Sequence, residues 1–473
     1  MTKKDLHILL LYGHHRGTTA EYIEKELSRL CRISSAGISA GISAGINTDN
    51  PFTIPCTSPT PAIESILNSF DTNNRPDAIV QIECGTVLFF PTGLERVDIP
   101  KFFYAIDPHF NWDWHRLYVQ LFDMIFVSFE QFCAQYRSVH PRVAHIAHAF
   151  DQDVYREFPQ PRDLDIVFVG HVDPVNRPKR SRLLAALQKH FSVTVVSGVW
   201  KEDVARLYSR AKIVFNENDH DVLNPRNFEA MACGAALLTN GAVGLADLFV
   251  DRTHCIVYKD EYDIVEIARY YLMDESSRRI MALAGQQLVL LNHSWRLRIK
   301  LIYDQIRSFV DEKPRTTPPV DTYGAAIYKN IGLVYYNRGF LPQAIEFLRR
   351  FAEDNQTDSE NWYYIGWLWA QMNNGAEAMV NYQQAIRCDP NCRNAYLELG
   401  QVYMDKWQWA DADALFLSFP AIASDDEMLL LRCCCMMPLG KKNEARAIIE
   451  KIIARDPQNG HARNLLNKIQ STI

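Results

Sequence analysis

The chain has 473 residues, 48% of them hydrophobic and 22% charged, with a formal net charge of −6. That length suits about three domains, and the composition is that of an ordinary globular protein. The charge balance excludes the broad basic field of a bulk nucleic-acid binder. Eleven cysteines lie scattered without a Cys-x-x-Cys pair, and Cys433, Cys434 and Cys435 are consecutive. Three adjacent side chains on a helix point in different directions and make a poor metal site. The expectation is free thiols in a reducing compartment.

The apolar run at 8–12 is too short for a signal core or a membrane span, so a cytoplasmic protein is expected. Strands are predicted at 7–12, 78–83, 101–106 and 124–127, with a helix over 18–32. This is the β-α-β rhythm of a parallel sheet covered on both faces. Residues 35–46 repeat Ser-Ala-Gly-Ile three times, and three glycines in twelve residues argue against a helix. They read as a variable loop without chemistry.

Two loops of this first part carry reactive side chains at strand ends. Gly13-His14-His15-Arg16-Gly17 follows the first strand. Tyr104-Ala-Ile-Asp107-Pro108-His109-Phe-Asn-Trp112-Asp113-Trp114-His115 follows the third and is rich in aromatics suited to stacking on a sugar or peptide. Asp107, His109 and His14 are the candidate catalytic side chains, because a base for a hydroxyl proton must reach it from a strand end.

A second α/β unit begins near Asp165, with strands at 165–170, 193–198, 211–216 and 235–239. A helix at 294–309 is expected to close it. Residues 311–321 are proline-rich and read as a linker. From about 325 a 34-residue repeat begins. Small residues recur as Gly332 and Ala344, Gly366 and Ala378, Gly400 and Ala412, and a fourth unit pairs Cys433 with Ala445. Large residues recur between them, as at Tyr335, Trp369, Tyr403 and Met436. Small residues let paired helices approach, and large ones fill the groove to the next pair. The predicted divisions are 1–155, 156–310, a linker at 311–322, and about four repeats over 323–473.

The sharpest local pattern is Asp221-Val-Leu-Asn224-Pro225-Arg226-Asn-Phe-Glu229-Ala-Met-Ala-Cys-Gly234. Asn224-Pro225 reads as a helix start, with Asn as cap and Pro at the first position. Free amides at that start would suit a diphosphate. Arg226 in the first turn opposes the helix dipole, which makes sense if an anion binds there. Glu229, one turn deeper, could accept two ribose hydroxyls; a solvated carboxylate is the alternative. Gly170-His171-Val-Asp-Pro-Val-Asn-Arg177-Pro-Lys179-Arg180 places a glycine turn and three cations after a strand, fitting a leaving diphosphate. Arg180 is the first choice among those cations, ahead of Arg177. Ser197-Gly198 follows the next strand and could meet a base through its backbone.

The Asp221 to Glu229 pattern resembles the donor helix of GT-B glycosyltransferases, particularly the group related to the spore-maturation protein CgeB. The resemblance covers roughly residues 5–310 and is stronger in the second half. It implies two Rossmann-like domains facing a cleft, with the acceptor on the first and a nucleotide-sugar on the second. Many such enzymes carry two glutamates with seven residues between them, the first on the sugar and the second on the ribose. Glu229 matches the second, and Asp221 stands at the first with a shorter reach. The family generally works without a divalent ion, and no Asp-x-Asp motif marks a metal site here, so no essential metal and no other cofactor are expected.

The C-terminal array resembles tetratricopeptide (TPR) repeats, which implies an all-α superhelix. Together the parts imply a protein O-glycosyltransferase, with UDP-GlcNAc as first donor and flagellin as first acceptor, docked by the repeats. The alternatives are a cell-surface or spore polysaccharide transferase and a non-catalytic TPR adaptor. The repeats could also mediate self-association. Inversion and retention at the anomeric carbon both remain open, and retention would need no base.

Overall fold

The computed structural model of the chain describes residues 5–40, 51–312 and 324–471. The chain divides into two compact units, Met1–Val320 and Asp321–Ile473. The first unit is built on two sheets in which every pairing is parallel. The first sheet holds β1 (His7–His14), β2 (Arg32–Ser39), β3 (Ile54–Pro55), β4 (Ala78–Ile82), β5 (Lys101–Ala105), β6 (Met124–Val127) and β7 (Val143–His145). The second holds β8 (Leu164–Val169), β9 (Val193–Val196), β10 (Ala211–Phe215), β11 (Ala236–Asn240) and β12 (Ile256–Tyr258). Their central strands are apolar on both faces: Ile8, Leu9, Leu10 and Leu11 are all fully buried, as are Ile166, Val167 and Phe168. Burial on both faces needs helices above and below, which the crossovers supply.

Strand order decides where a ligand can sit. The first sheet runs β3-β2-β1-β4-β5-β6-β7 and the second β12-β11-β10-β8-β9. The chain therefore changes direction between β1 and β4, and again between β8 and β10. Connections leave these points on opposite faces and open a crevice at the strands' carboxyl ends. Two parallel, Rossmann-like sheets are what the sequence predicts for this part of the chain.

Three local expectations change. The Ser-Ala-Gly-Ile tract is not a loop as far as residue 39: it is β2, paired along its whole length with β1. Small residues are what the position admits. A Cβ on Gly37 would collide with the Phe52 ring, and Ser34 Oγ bonds His7 Nε2 at 3.0 Å. Its remaining residues, 41–46, lie outside the described residues. The helix expected to close the second sheet, Trp295–Glu312, instead packs on the first. Ile299, Ile302, Ile306 and Phe309 share a core with Phe102 and Phe126, and the Phe309 and Phe102 rings meet edge-on at 5.4 Å. Asp311 and Glu312 end this helix, and 313–321 of the expected linker lie outside the described residues.

Ion pairs hold the helix Thr19–Leu27 beside this crossing. Glu26, Asp151 and Asp153 converge, but three cations occupy them. Lys25 Nζ is 2.7 Å from Asp151 and 2.8 Å from Asp153, Arg29 is 2.7 Å from Asp153, and Arg296 is 3.2 Å from Glu26.

The second unit is all-helical and repeats. Helices Leu341–Asp354, Ser359–Gln371, Gly375–Cys388, Arg393–Asp405, Trp409–Leu417, Asp426–Met436 and Lys442–Arg455 follow one another. The glycines sit where helices touch. A Cβ on Gly332 would stand 2.9 Å from Leu348 and 3.2 Å from the Ala344 carbonyl; one on Gly366 would stand 2.7 Å from Tyr382 and 3.2 Å from the Ala378 carbonyl. In the fourth pair Cys433 replaces the glycine, and its thiol donates to the Ala445 carbonyl at 3.6 Å. Among the described residues, no helix is long and apolar enough to cross a membrane.

Candidate active site

Between the two sheets lies a cavity of about 250 Å³. Gly170, Gly198, Arg226 and Glu229 line it from the second sheet, Gly17 and Tyr22 from the first, and Tyr155 and Trp295 from the crossing segments. Four residues singled out from the sequence are thus brought together. Ser197 is not among the lining residues.

Gly170 ends β8 at φ 152°, a conformation that disfavours side chains. A Cβ there would stand 3.0 Å from Arg226 Nη2. The guanidinium therefore lies against bare backbone, 5.1 Å above the Phe168 ring, with Nη1 donating to Asn216 Oδ1 at 2.7 Å. No carboxylate pairs with Arg226 among the described residues. Glu229 sits on the same helix, Arg226–Ala232. Burial pushes its carboxyl up to about 7, opposed by the Arg226 charge and the neighbouring Tyr155 hydroxyl.

The helix start works differently from the expectation. Asn224 Oδ1 takes the Arg226 amide at 3.1 Å, the Asn224 carbonyl takes that of Asn227 at 3.2 Å, and the Pro225 carbonyl takes that of Phe228 at 2.9 Å. These amides are occupied, so an anion here would meet the Arg226 guanidinium. Asn224 itself is tied down: its Nδ2 donates to Asn216 Oδ1 at 3.1 Å and to the Glu217 carbonyl at 3.2 Å. It belongs to a buried amide network with Asn218, Asn227 and Thr239, which fixes the loop between β10 and the helix.

Two of the other expected cations, Arg180 and Arg177, are partnered. Arg180 is buried, pairs with Glu217 at 3.0 Å and donates to the His171 carbonyl at 3.3 Å. Arg177 pairs with Asp219. Neither lines the cavity. Asp221 is exposed, at a left-handed φ of 55°, and its carbonyl accepts the Val243 amide at 3.0 Å.

On the first-sheet side, His14 is held at both ring nitrogens, by Ser39 Oγ at 3.0 Å and Glu21 Oε1 at 2.7 Å. Glu21 in turn binds Lys201 of the second half at 2.6 Å. Arg16 lies 5.1 Å over the Trp200 ring, and a Cβ on Gly17 would stand 2.7 Å from Trp200. The loop after β1 thus closes one wall of the cavity against Trp200 and Lys201. Sequence reasoning missed Glu21, Trp200 and Lys201. Trp200 and Lys201 follow the Gly198 turn, and that adjacency was the available signal.

His109 and Asp107 lie together after β5. The His109 ring is 5.6 Å from Phe129 and 5.7 Å from His220, which reaches across from the second half. Burial, then the His220 charge, pushes its pKa down to about 4. Asp107 moves the other way, up to about 7, through burial and the nearby Glu83 carboxylate.

Residues 177–304 match the family model described as glycosyl transferase-like. This glycosyl transferase-like region contains Arg226 and Glu229 and most of the second sheet. No curated protein matches the chain. Among solved structures, sucrose-phosphate synthase from Thermosynechococcus elongatus is 14% identical, with TM-score 0.47, covering 65% of this chain and 100% of its own. Anabaena HepE in complex with UDP-glucose is 12% identical, with TM-score 0.49, covering 64% and 100%. MamA from Desulfovibrio magneticus RS-1 is 20% identical, with TM-score 0.29, covering 31% and 84%.

Proposed function

We propose that the first unit transfers a sugar from a nucleotide-sugar, with UDP-GlcNAc as the first donor to try. The observation that carries this is the cavity in which Gly170 meets Arg226 and Glu229, the latter two inside the glycosyl transferase-like region. Arg226, lying against bare glycine backbone, would take the diphosphate. Glu229, as a carboxylate, would accept the ribose hydroxyls. Gly198 leaves open space where a side chain would stand, which suits the flat face of a base. Protein cations would neutralise the leaving group, so transfer is expected to need no divalent ion.

The acceptor would be a serine or threonine hydroxyl of a protein, flagellin first, held by the helical unit acting as TPR repeats. Support for this reading is the glycine-mediated pairing of successive helices, the packing that builds repeat surfaces. The CgeB-like grouping and a cytoplasmic setting belong to the same proposal.

Calorimetry with UDP, UDP-GlcNAc, UDP-glucose and GDP-sugars, without added metal, tests the donor site. One nucleotide should bind the wild type and fail to bind Glu229→Ala. Absence of binding by any of them would turn the reading towards an adaptor.

A further inference from the structure

Four helix ends in the second unit are closed by the same cap. The amides of Gly339, Asn373, Trp407 and Gly440 donate to the carbonyls of Tyr336, Ala370, Met404 and Met437 at 2.8–3.1 Å. The amides one residue on reach back to Tyr335, Trp369, Tyr403 and Met436 at 2.9–3.0 Å. This cap puts its central residue in the left-handed region, at φ 78°, 58°, 60° and 78° in chain order. Glycine is the ordinary occupant and asparagine the next. Trp407 breaks the series, with a bulky side chain where a Cβ is strained.

Nothing inside the fold repays that strain. Trp407 is 78% exposed, and its ring meets Trp409 edge-on at 5.8 Å. Trp409 is the member that roots the pair, packing on the core of Tyr396, Phe416 and Met428. A bulky residue held in a strained conformation without burial points to a contact outside the fold.

The surroundings give that contact a charge. Successive helices pack on one another through short connections, so the capped turns share one end of the stack and the other connections share the opposite end. Neighbouring turns touch: a Cβ on Gly375 would stand 3.9 Å from Lys406 Cε. The capped end exposes Phe340, Met372 and Trp407. Residues 337–342, 371–376, 405–410 and 438–443 carry Arg338, Lys406, Lys441 and Lys442 against Asp405. At the opposite end, 355–358, 389–392, 418–425 and 456–459 carry Asp358, Asp389, Asp425 and Asp456 and neither Lys nor Arg. Leu417 is exposed there, with no cation in the connection beside it. Lys406 is exposed, and among the described residues no carboxylate pairs with it.

We propose that the capped end, centred on Trp407 and Lys406, docks an acidic segment of a partner polypeptide, with an apolar side chain of that segment against the Trp407 ring. This would be the face by which the helical unit holds its acceptor, so the assignment rests on the docking reading of that unit. Charge complementarity selects the segment's carboxylates, and an exposed indole is the kind of side chain that carries an interface. A second copy of the chain fits less well, because its acidic end is already engaged. Asp358 pairs with Lys329 at 3.1 Å and Asp425 pairs with Arg393, while Asp389 and Asp456 accept the amides of Asn391 and Gln458.

The test uses the full chain and two fluorescent peptides of equal length. One alternates glutamate and aspartate with leucine and phenylalanine, and the other has lysine in place of every acid. Anisotropy should show the acidic peptide binding and the lysine peptide staying free. Trp407→Gly should weaken the acidic peptide roughly tenfold or more, and Lys406→Glu should weaken it as well. The Tm of Trp407→Gly should match or exceed that of the wild type, because glycine takes a φ of 60° without strain. A lower Tm would make the ring part of the unit's own packing and overturns the proposal. Equal binding of the two peptides, or acidic-peptide binding that Trp407→Gly leaves unchanged, overturns it too. So does an oligomer dissolved by Trp407→Gly, or binding to phosphatidylserine vesicles lost in it, when no acidic peptide binds. Acceptor modification that survives removal of the unit, with the peptide still held at Trp407, counts against the docking reading alone.

Discussion

The two halves of the cleft are built on opposite principles. The second half holds Arg226 and Glu229 on one short helix, behind a loop pinned by neutral amide hydrogen bonds among Asn216, Asn218, Asn224 and Asn227. Its geometry is set before any ligand arrives. The first half instead buries ionisable groups: Glu83, Asp107, His109, His115 and His148 crowd the ends of β4 to β7, and burial, with smaller contributions from neighbouring charges, raises Asp107 to about 7 and lowers His109 and His148 to about 4. A site of the first kind binds by a pre-set shape and by the Arg226 charge. A site of the second kind is suited to moving protons. The lesson is that a residue's type reveals the first kind, and only its surroundings reveal the second.

The sharpest way to break this comparison is to remove the second unit. A chain ending at Val320 should lose modification of the acceptor protein entirely while still hydrolysing the donor, read by mass spectrometry of the acceptor and by released UDP. Protein modification that survives the truncation ends the docking idea. Next in size is Glu229→Ala. Losing hydrogen bonds to a charged carboxylate, each about 1.5–3 kcal/mol, should weaken UDP binding by roughly a hundredfold. An affinity within threefold of wild type would remove Glu229 from the site.

The comparison sharpens with pH. Glu229 must be ionised to accept hydroxyls well, and its folded value is about 7. UDP affinity should therefore fall by up to about tenfold per unit as pH drops below 7. Stability follows the opposite sign. An acid raised from 4.5 to about 7 binds its proton more tightly when folded. It costs nothing below the unfolded value, and stability is lost as pH rises from there through the folded value. Glu229→Gln should thus raise Tm at pH 8, by the equivalent of about 1–3 kcal/mol, and leave it unchanged at pH 4. A rise of equal size at both would refute the assignment. The smallest expected effect is in the helical unit. Gly400→Val would drive a side chain into the Phe416 ring and should cost about 1–3 kcal/mol, seen as a lower Tm with UDP binding unaltered. Weaker UDP binding in this variant would mean that the two units are coupled.

Much of the fold was legible along the chain. Apolar runs at 7–12 and 165–170 are β1 and β8 within a residue or two, because central parallel strands need apolar side chains on both faces. The Gly332, Gly366 and Gly400 spacing located the helix contacts, because a close approach admits no Cβ. The tract that became β2 was misread, since serine and glycine lack strand propensity and only the neighbouring Phe52 and His7 make them fit. The helix Trp295–Glu312 was placed on the wrong sheet, because an amphipathic pattern states that one face is buried and not against what.

At the site the division is the same. Sequence by itself determined the parallel-sheet architecture, the glycine turn at Gly170, and the helix that carries Arg226 and Glu229. Each depends on local periodicity or on a residue with a special backbone. Only the tertiary structure decided that Glu217 neutralises Arg180 and Asp219 pairs with Arg177, and that Glu21 joins His14 to Lys201. Only it brought Glu83 beside Asp107. Charges and protons answer to neighbours within a few ångströms, and those neighbours come from strands tens of residues apart in the chain.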